Sequence, residues 1–247
     1  MPKAIEIKDF SYNYPDGTNA LGEITLNIEH GEKVALIGPN GAGKTTLLLA
    51  IGGFLLGKGQ LLIDGMEVKK ENLRKIRSTI GCCFEDPDDQ LFMPTLFDDV
   101  AFGPLNMGLE HQQVEQRVSQ ALTVVGLSKM GHKPPHHLSA GQKRAASIAT
   151  ILAMNPKIIT FDEPDGSLDG RHRNNLIQLL RSLNQTLIIA TCNMNFAAAL
   201  AQRTILIDNG KKIADGESCK ILSDSNLMLE HGLEVISKNI FYSLLVT

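Results

Sequence analysis

The sequence predicts an α/β chain, and three observations carry that prediction. Residues 33–37 (Lys-Val-Ala-Leu-Ile) form an apolar run of strand length that passes through a glycine loop into a helix opening at Thr45. Strand and helix patterns alternate again from Ile158 to Ala214. The stretch between, about 93–155, reads as helix. The picture is an α/β core interrupted by a helical insertion, with a small antiparallel sheet on the N-terminal side.

Residues 4–10 alternate like a half-buried strand, Tyr14-Pro15-Asp16-Gly17 is turn chemistry, and Ile24–Ile28 alternates again. The helix after the glycine loop runs to about Phe54, and Gly59–Gly65 reads as a strand ending in a tight turn. Ile80–Phe84 is a buried strand that runs into the polar loop Glu85–Gln90. Val114, Val118, Ala121, Leu122 and Val125 share one helix face, Gly126 stops that helix, and Lys133-Pro134-Pro135 is a stiff connector. A second helix runs from Ser139 to Met154, ended by Asn155-Pro156. Ile158–Phe161 and Leu187–Ala190 are strands, Asp169–Leu183 is an amphipathic helix, and Phe196–Gln202 is a short one. Thr204–Asp208 and Lys211–Ala214 flank Asn209-Gly210, a hairpin signal. After Gly216 the pattern weakens to one or two helices.

At 247 residues, with 43% hydrophobic and 21% charged, the chain can bury a substantial core and has the composition of a soluble globular protein. A formal net charge of −3 gives no general electrostatic case for nucleic acid. No uncharged apolar run is long enough to cross a bilayer, and MPKAIEIKDF lacks the apolar core of a signal peptide. Neither point excludes a peripheral subunit held by membrane partners. Cys82, Cys83, Cys192 and Cys219 form no Cys-x-x-Cys pair, which favours reduced thiols in a cytosolic protein. The histidines lack zinc-like spacing, and His136-His137 reads as a solvated loop pair.

Gly38-Pro39-Asn40-Gly41-Ala42-Gly43-Lys44-Thr45 fits G-x-x-x-x-G-K-[ST] between a strand and a helix, the context that separates a phosphate loop from a turn that happens to contain glycines. Glycine lets the backbone curl so that successive N–H groups point at phosphate oxygens, and the helix start adds its own N–H groups and dipole. Lys44 brings a cation to the outer phosphates, and Thr45 offers a hydroxyl to Mg²⁺. Ile158–Phe161 ends in Asp162-Glu163. Ligands sit beyond the carboxyl ends of strands in an open α/β sheet, so Asp162 can hold Mg²⁺ through water and Glu163 can serve as general base. Leu138-Ser139-Ala140-Gly141-Gln142 places a good N-cap and small residues at a helix start; it reads as a second phosphate-binding surface or as a plain cap.

Phosphate loop, Leu-Ser-Ala-Gly-Gln, acidic strand end and then Ser167-Leu168-Asp169 together resemble the ATP-binding subunit of an ABC-type transporter, over residues 3–220. Phe84–Phe92 and Pro134–Ser139 resemble its cobalt/nickel and energy-coupling-factor (vitamin) importer subgroup. The resemblance implies a RecA-like P-loop NTPase core with an antiparallel β-subdomain and an inserted helical subdomain. It implies one ABC ATPase domain over 3–240: core about 3–85 and 156–215, helical insertion about 86–155, and a C-terminal extension about 216–247. ATP and Mg²⁺ are the implied ligands. The nucleotide residues would be Gly38 to Thr46 with Tyr14 stacking on adenine, Tyr14 otherwise being a buried core tyrosine. A head-to-tail dimer with a second ABC ATPase subunit, identical or related, would bring Ser139, Gly141, Gln142 and Asp169 of one protomer to the other's ATP. Transmembrane transporter subunits would meet the loop around Glu85–Phe92 on the cytoplasmic face of the membrane.

Two matched positions depart from the family. Glu85 stands where glutamine is usual beside Mg²⁺ and water; it can ligate metal, but when ionised it donates no hydrogen bond. Cys192 stands where a histidine contacts the terminal phosphate, and a thiol is a weak donor. Both serve the ATP held by this chain's own loop, whereas the Ser139–Gln142 segment, apart from Ala140 where glycine is commoner, serves the partner's. The expectation is tight binding with slow cleavage beside a complete partner. Near-normal turnover, a non-catalytic ATP-sensing subunit and a soluble ABC ATPase acting on ribosomes or DNA remain as alternatives.

Overall fold

The computed structural model describes residues 3–166 and 168–246. Among the described residues, ten strands form two sheets. In chain order the strands are β1 (Ile5–Asn13), β2 (Asn19–Ile28), β3 (Lys33–Ile37), β4 (Lys58–Ile63), β5 (Met66–Glu67), β6 (Ile80–Cys83), β7 (Ile158–Asp162), β8 (Thr186–Ala190), β9 (Arg203–Asp208) and β10 (Lys211–Glu217). The antiparallel sheet has the order β2-β1-β4-β5, and the larger sheet β10-β9-β3-β8-β7-β6, parallel except for the β9–β10 hairpin.

The helices are α1 (Lys44–Ile51), α2 (Leu73–Thr79), α3 (Leu96–Asn106), α4 (His111–Val124), α5 (Ala140–Met154), α6 (Gly170–Ser182), α7 (Met194–Leu200), α8 (Ser218–Leu222), α9 (Ser225–Glu230) and α10 (Lys238–Val246). Val34 and Leu36 of β3 turn to one side of the parallel sheet, where α1 and the antiparallel sheet close over them. Ala35 and Ile37 turn to the other, under α7 and the C-terminal helices. This two-sided burial explains why the strands read as continuous apolar runs. The α3–α5 helices, between β6 and β7, pack on a separate apolar cluster that includes Leu96, Val100, Val118, Leu122 and Ala149.

Three differences from the sequence reading have physical causes. β2 begins at Asn19, five residues before the alternation becomes visible, because β1 pairs along that length through register shifts. The Leu73–Thr79 helix is short and mostly polar, burying only Ile76, so its sequence carries no periodic signal. After Gly216 the described residues form three helices, not one or two; Cys219, Leu222, Met228 and Phe241 anchor them against Ile37 and Leu206. Each is too short to show a period, and packing supplies what propensity does not.

The hairpin turn Asn209-Gly210 has left-handed backbone at both residues (φ 47° and 71°), the conformation that this pair favours. The turn packs backbone to backbone on the glycine loop: Gly210 N–H donates to Ala42 O at 2.9 Å, and Gly22 N–H donates to Gly210 O at 2.8 Å. A Cβ at Gly210 would lie 2.6 Å from Ala20 O. Gly17 shares the left-handed conformation, at φ 90°, with open space around it. Gly17→Ala should therefore lose only about 1 kcal/mol for conformation, whereas Gly210→Ala should lose roughly 2–3 kcal/mol by adding overpacking. Urea denaturation midpoints of the two variants check this, and equal losses would contradict the packing argument.

Candidate active site

The parallel ladders bring three strand ends to one level. Leu36 of β3 pairs with Ala190 of β8, and Ala190 pairs with Asp162 of β7. Cys83 of β6 pairs with Phe161 one step earlier. The residues just beyond these rows therefore emerge along one edge of the sheet: the glycine loop from Gly38, Glu85, Glu163 and Cys192. A cleft of about 450 Å³ is lined there by Tyr14, Asn40 to Thr46, Glu85 and Glu163. A neighbouring one of about 650 Å³ holds Thr45, Glu85, Asp162 and Ala140.

The glycine loop is shaped by contacts that admit no side chain. A Cβ at Gly38 would sit 2.0 Å from Ile207 O, and one at Gly43 (φ 104°) would sit 2.7 Å from Ala20 O. Gly43 begins α1 with no side-chain cap, while Ser139, Asp169 and Asn193 each cap their helices. The opening turn of α1 is thus left without a side-chain acceptor for its N–H groups, which is what an anion site at a helix start requires. Lys44 is 6% exposed. Its ammonium donates to Gly38 O (2.8 Å), Pro39 O (3.2 Å) and Cys192 Sγ (3.2 Å), and lies 3.7 Å from Glu163 Oε1.

Glu163 has left-handed backbone (φ 42°), and its N–H donates to Ala190 O at 2.9 Å. Its Oε2 accepts from Cys192 N–H at 2.9 Å. The strain is held by Asp165, 5% exposed, which the sequence reading passed over. Asp165 accepts from Thr191 Oγ1 (3.0 Å) and Asn193 Nδ2 (2.8 Å), bolting the turn after β7 to the end of β8. A third acid two residues beyond the Asp-Glu pair was the available signal.

Asp162 is 7% exposed, and its Oδ1 is buried without a hydrogen-bond partner. Burial pushes its carboxyl above the usual range; Thr45 opposes the shift and Glu163 and Glu85 reinforce it. An orphaned, buried carboxylate oxygen beside a threonine hydroxyl and a second carboxylate fits a hard divalent cation. Thr45, Asp162 and Glu85 are the residues that would hold one. Tyr14 is half-buried, its hydroxyl sharing a hydrogen bond with Thr46 Oγ1 at 3.0 Å and its ring edge-on to Tyr12.

Ser139, Gly141, Gln142 and Asp169 do not line the glycine-loop cleft. Ser139 and Gln142 form a reciprocal capping box, with Gln142 N–H to Ser139 Oγ at 3.3 Å and Ser139 N–H to Gln142 Oε1 at 3.0 Å. Gly141 lies against the His172 ring, where a Cβ would meet Cδ2 at 2.5 Å, and Asp169 accepts from His172 N–H and faces its Nδ1, both at 2.9 Å. These four residues thus stand outside the glycine-loop cleft, while Ala140 between them reaches the neighbouring cleft that holds Thr45, Glu85 and Asp162. Ser167 lies outside the described residues.

Comparison with known proteins follows the same lines. Residues 21–166 match the ABC transporter family. The chain is 44% identical to an energy-coupling factor transporter ATP-binding protein of Methanothermobacter thermautotrophicus, over 94% of this chain and 76% of that one. It superposes on cbiO1 of Clostridium perfringens, part of the cbiONQ ABC transporter complex, with TM-score 0.82 and 33% identity, covering 93% and 94% of the two chains. It also resembles a dimeric ATP-binding cassette in a post-hydrolysis state bound to ADP and Pi, with TM-score 0.78 and 28% identity over 87% of this chain and 98% of that one.

Burial, and then Glu163, push the Cys192 thiol above its ordinary value, with Lys44 opposing. Cys192 is exposed, whereas Cys83 and Cys219 are buried and Cys82 half-buried. Iodoacetamide should therefore label Cys192 first, lag a free thiol at neutral pH, and accelerate as rising pH forms the thiolate. Mg·ATP should protect it. Labelling at the free-thiol rate without protection would place Cys192 outside the nucleotide cleft.

Proposed function

The chain belongs to the ABC transporter family of ATP-binding, ATP-hydrolysing cassettes, and from that membership we propose that it energises a membrane importer of the cobalt or energy-coupling-factor type. The observation that carries the nucleotide site is the uncapped start of α1 facing the carboxylates at the end of β7. Phosphates would lie on the N–H groups of residues 40–46, with adenine over Tyr14. Lys44, which donates to two carbonyls and the Cys192 sulfur, gains better acceptors in phosphate oxygens, which would release Glu163 from its ion pair. Glu163 is then the general base for the attacking water, held by Cys192 N–H and the Asp165 bolt.

Thr45 and Asp162, with Glu85 beside them, would hold a magnesium ion, which when bound would supply positive charge against the transferring phosphoryl group. The exposed Ser139–Gln142 cap and Asp169 belong to a partner cassette's nucleotide; their separation from this chain's own loop supports that reading, as does the dimeric relative. Phe54, Phe84, Phe92 and Phe102 line an apolar cleft of about 280 Å³, and Phe92 is 62% exposed. Together with the relatives' names, this supports a transmembrane partner seated there, with the chain peripheral on the cytoplasmic face. Among the described residues, no helix is long and apolar enough to cross a membrane.

Glu85 and Cys192 shape the turnover. A neutral thiol at 3.2 Å from Lys44 offers the terminal phosphate a poor donor, and Glu85 adds negative charge to a cluster that already holds Asp162 and Glu163. This favours slow cleavage at the chain's own site and pairing with a related, complete cassette. The assembly purified through a tag on this chain should contain a polytopic membrane protein, and turnover at this chain's own site should rise about 10²-fold in the Cys192→His, Glu85→Gln double variant. Recovery without a membrane partner would contradict the transport reading; unchanged turnover would contradict the weakened site.

A further inference from the structure

Arg144 lies in the second turn of α5 and is 4% exposed. Among the described residues its hydrogen-bond partners are neutral. One amino group donates to Phe84 O at 2.7 Å and to Cys83 Sγ at 3.7 Å, and the other donates to Glu85 O. Its Nε is buried without a partner. Burying a guanidinium without a carboxylate costs several kcal/mol, and packing α5 on β6 does not require a cation. The guanidinium fork instead grips two successive carbonyls at the point where β6 becomes the loop that carries Glu85.

A neutral tie runs beside it. Gln90 accepts from Phe84 N–H at 3.4 Å and donates to Ser147 O at 2.8 Å and Thr150 Oγ1 at 2.7 Å, again fixing this loop to α5. The same helix begins at the Ser139–Gln142 cap. One rigid element therefore holds the segment offered to a partner's nucleotide at its start and the backbone of Glu85 one turn later.

We propose that Arg144 is a positioning residue which locks Glu85 to the Ser139–Gln142 helix start, so that a shift of that helix against a partner moves the metal-side carboxylate of this chain's own site. The inference rests on the reading of Glu85 as a metal-side group.

The test uses the full chain carrying Arg144→Lys, Glu85→Ala or both. It measures affinity for a non-hydrolysable ATP analogue with magnesium and with EDTA, alongside kcat, KM and melting temperature. Arg144→Lys keeps the charge and loses the fork. It should leave affinity in EDTA unchanged, and lower both the magnesium-dependent gain in affinity and kcat by about tenfold, with KM less affected. The double variant should fall no further than Glu85→Ala alone. Additive losses, or equal losses with and without magnesium, would overturn the inference alone. A Glu85→Ala variant with an undiminished magnesium effect would overturn the metal-side reading and the inference with it. If Arg144→Lys does not fold, Gln90→Leu carries the same cycle, with about a threefold loss that is likewise absorbed by Glu85→Ala.

Discussion

The structure depends on backbone packed against backbone at the glycine loop. Ile207 O presses on Gly38, Ala20 O on Gly43, and Gly210 N–H is bonded to Ala42 O. Distant parts of the chain thus form a mould with no room for a Cβ at Gly38 or Gly43, and the loop is shaped before any ligand arrives. Preorganisation of this kind lets N–H groups meet a developing charge without reorganisation at the moment of reaction. The ladders then set the distances, since Leu36, Ala190 and Asp162 lie in one row and everything beyond them projects to the same edge.

What could be read from the sequence was what local chemistry dictates. The phosphate loop, the Asn209-Gly210 hairpin and the Ser139 cap are specified by glycine freedom or by side-chain acceptors within a few residues. The buried strands were legible because both of their faces are covered. The Leu73–Thr79 helix and the three helices after Gly216 were obscure because they form through burial of a few apolar anchors. In the site, Asp165 and Arg144 escaped notice for one reason. A lone acid after Asp-Glu and a basic residue after Lys143 look like surface charge until the fold buries them at 5% and 4% exposure.

The chemistry divides between two surfaces of unequal quality. The surface offered outward, Ser139 to Gln142 with Asp169 and His172, is satisfied by its own capping bonds and keeps its shape without a ligand. The inward site carries Asp162, Glu163 and Glu85 with Lys44 and a thiol. It is rich in negative charge and poor in donors beyond the loop itself, so under the proposed reading a triphosphate would need a divalent cation and the Lys44 ammonium to be accepted. This composition is what supports the proposal that the chain's own site cleaves ATP slowly.

The glycine-loop mould should bind a nucleoside triphosphate through Lys44. Isothermal titration of the purified chain with ATP and magnesium tests it most directly. Saturable uptake of one ATP per chain, lost in Lys44→Ala at unchanged melting temperature, is the predicted result. No uptake by the parent, or equal uptake by the variant, would contradict it.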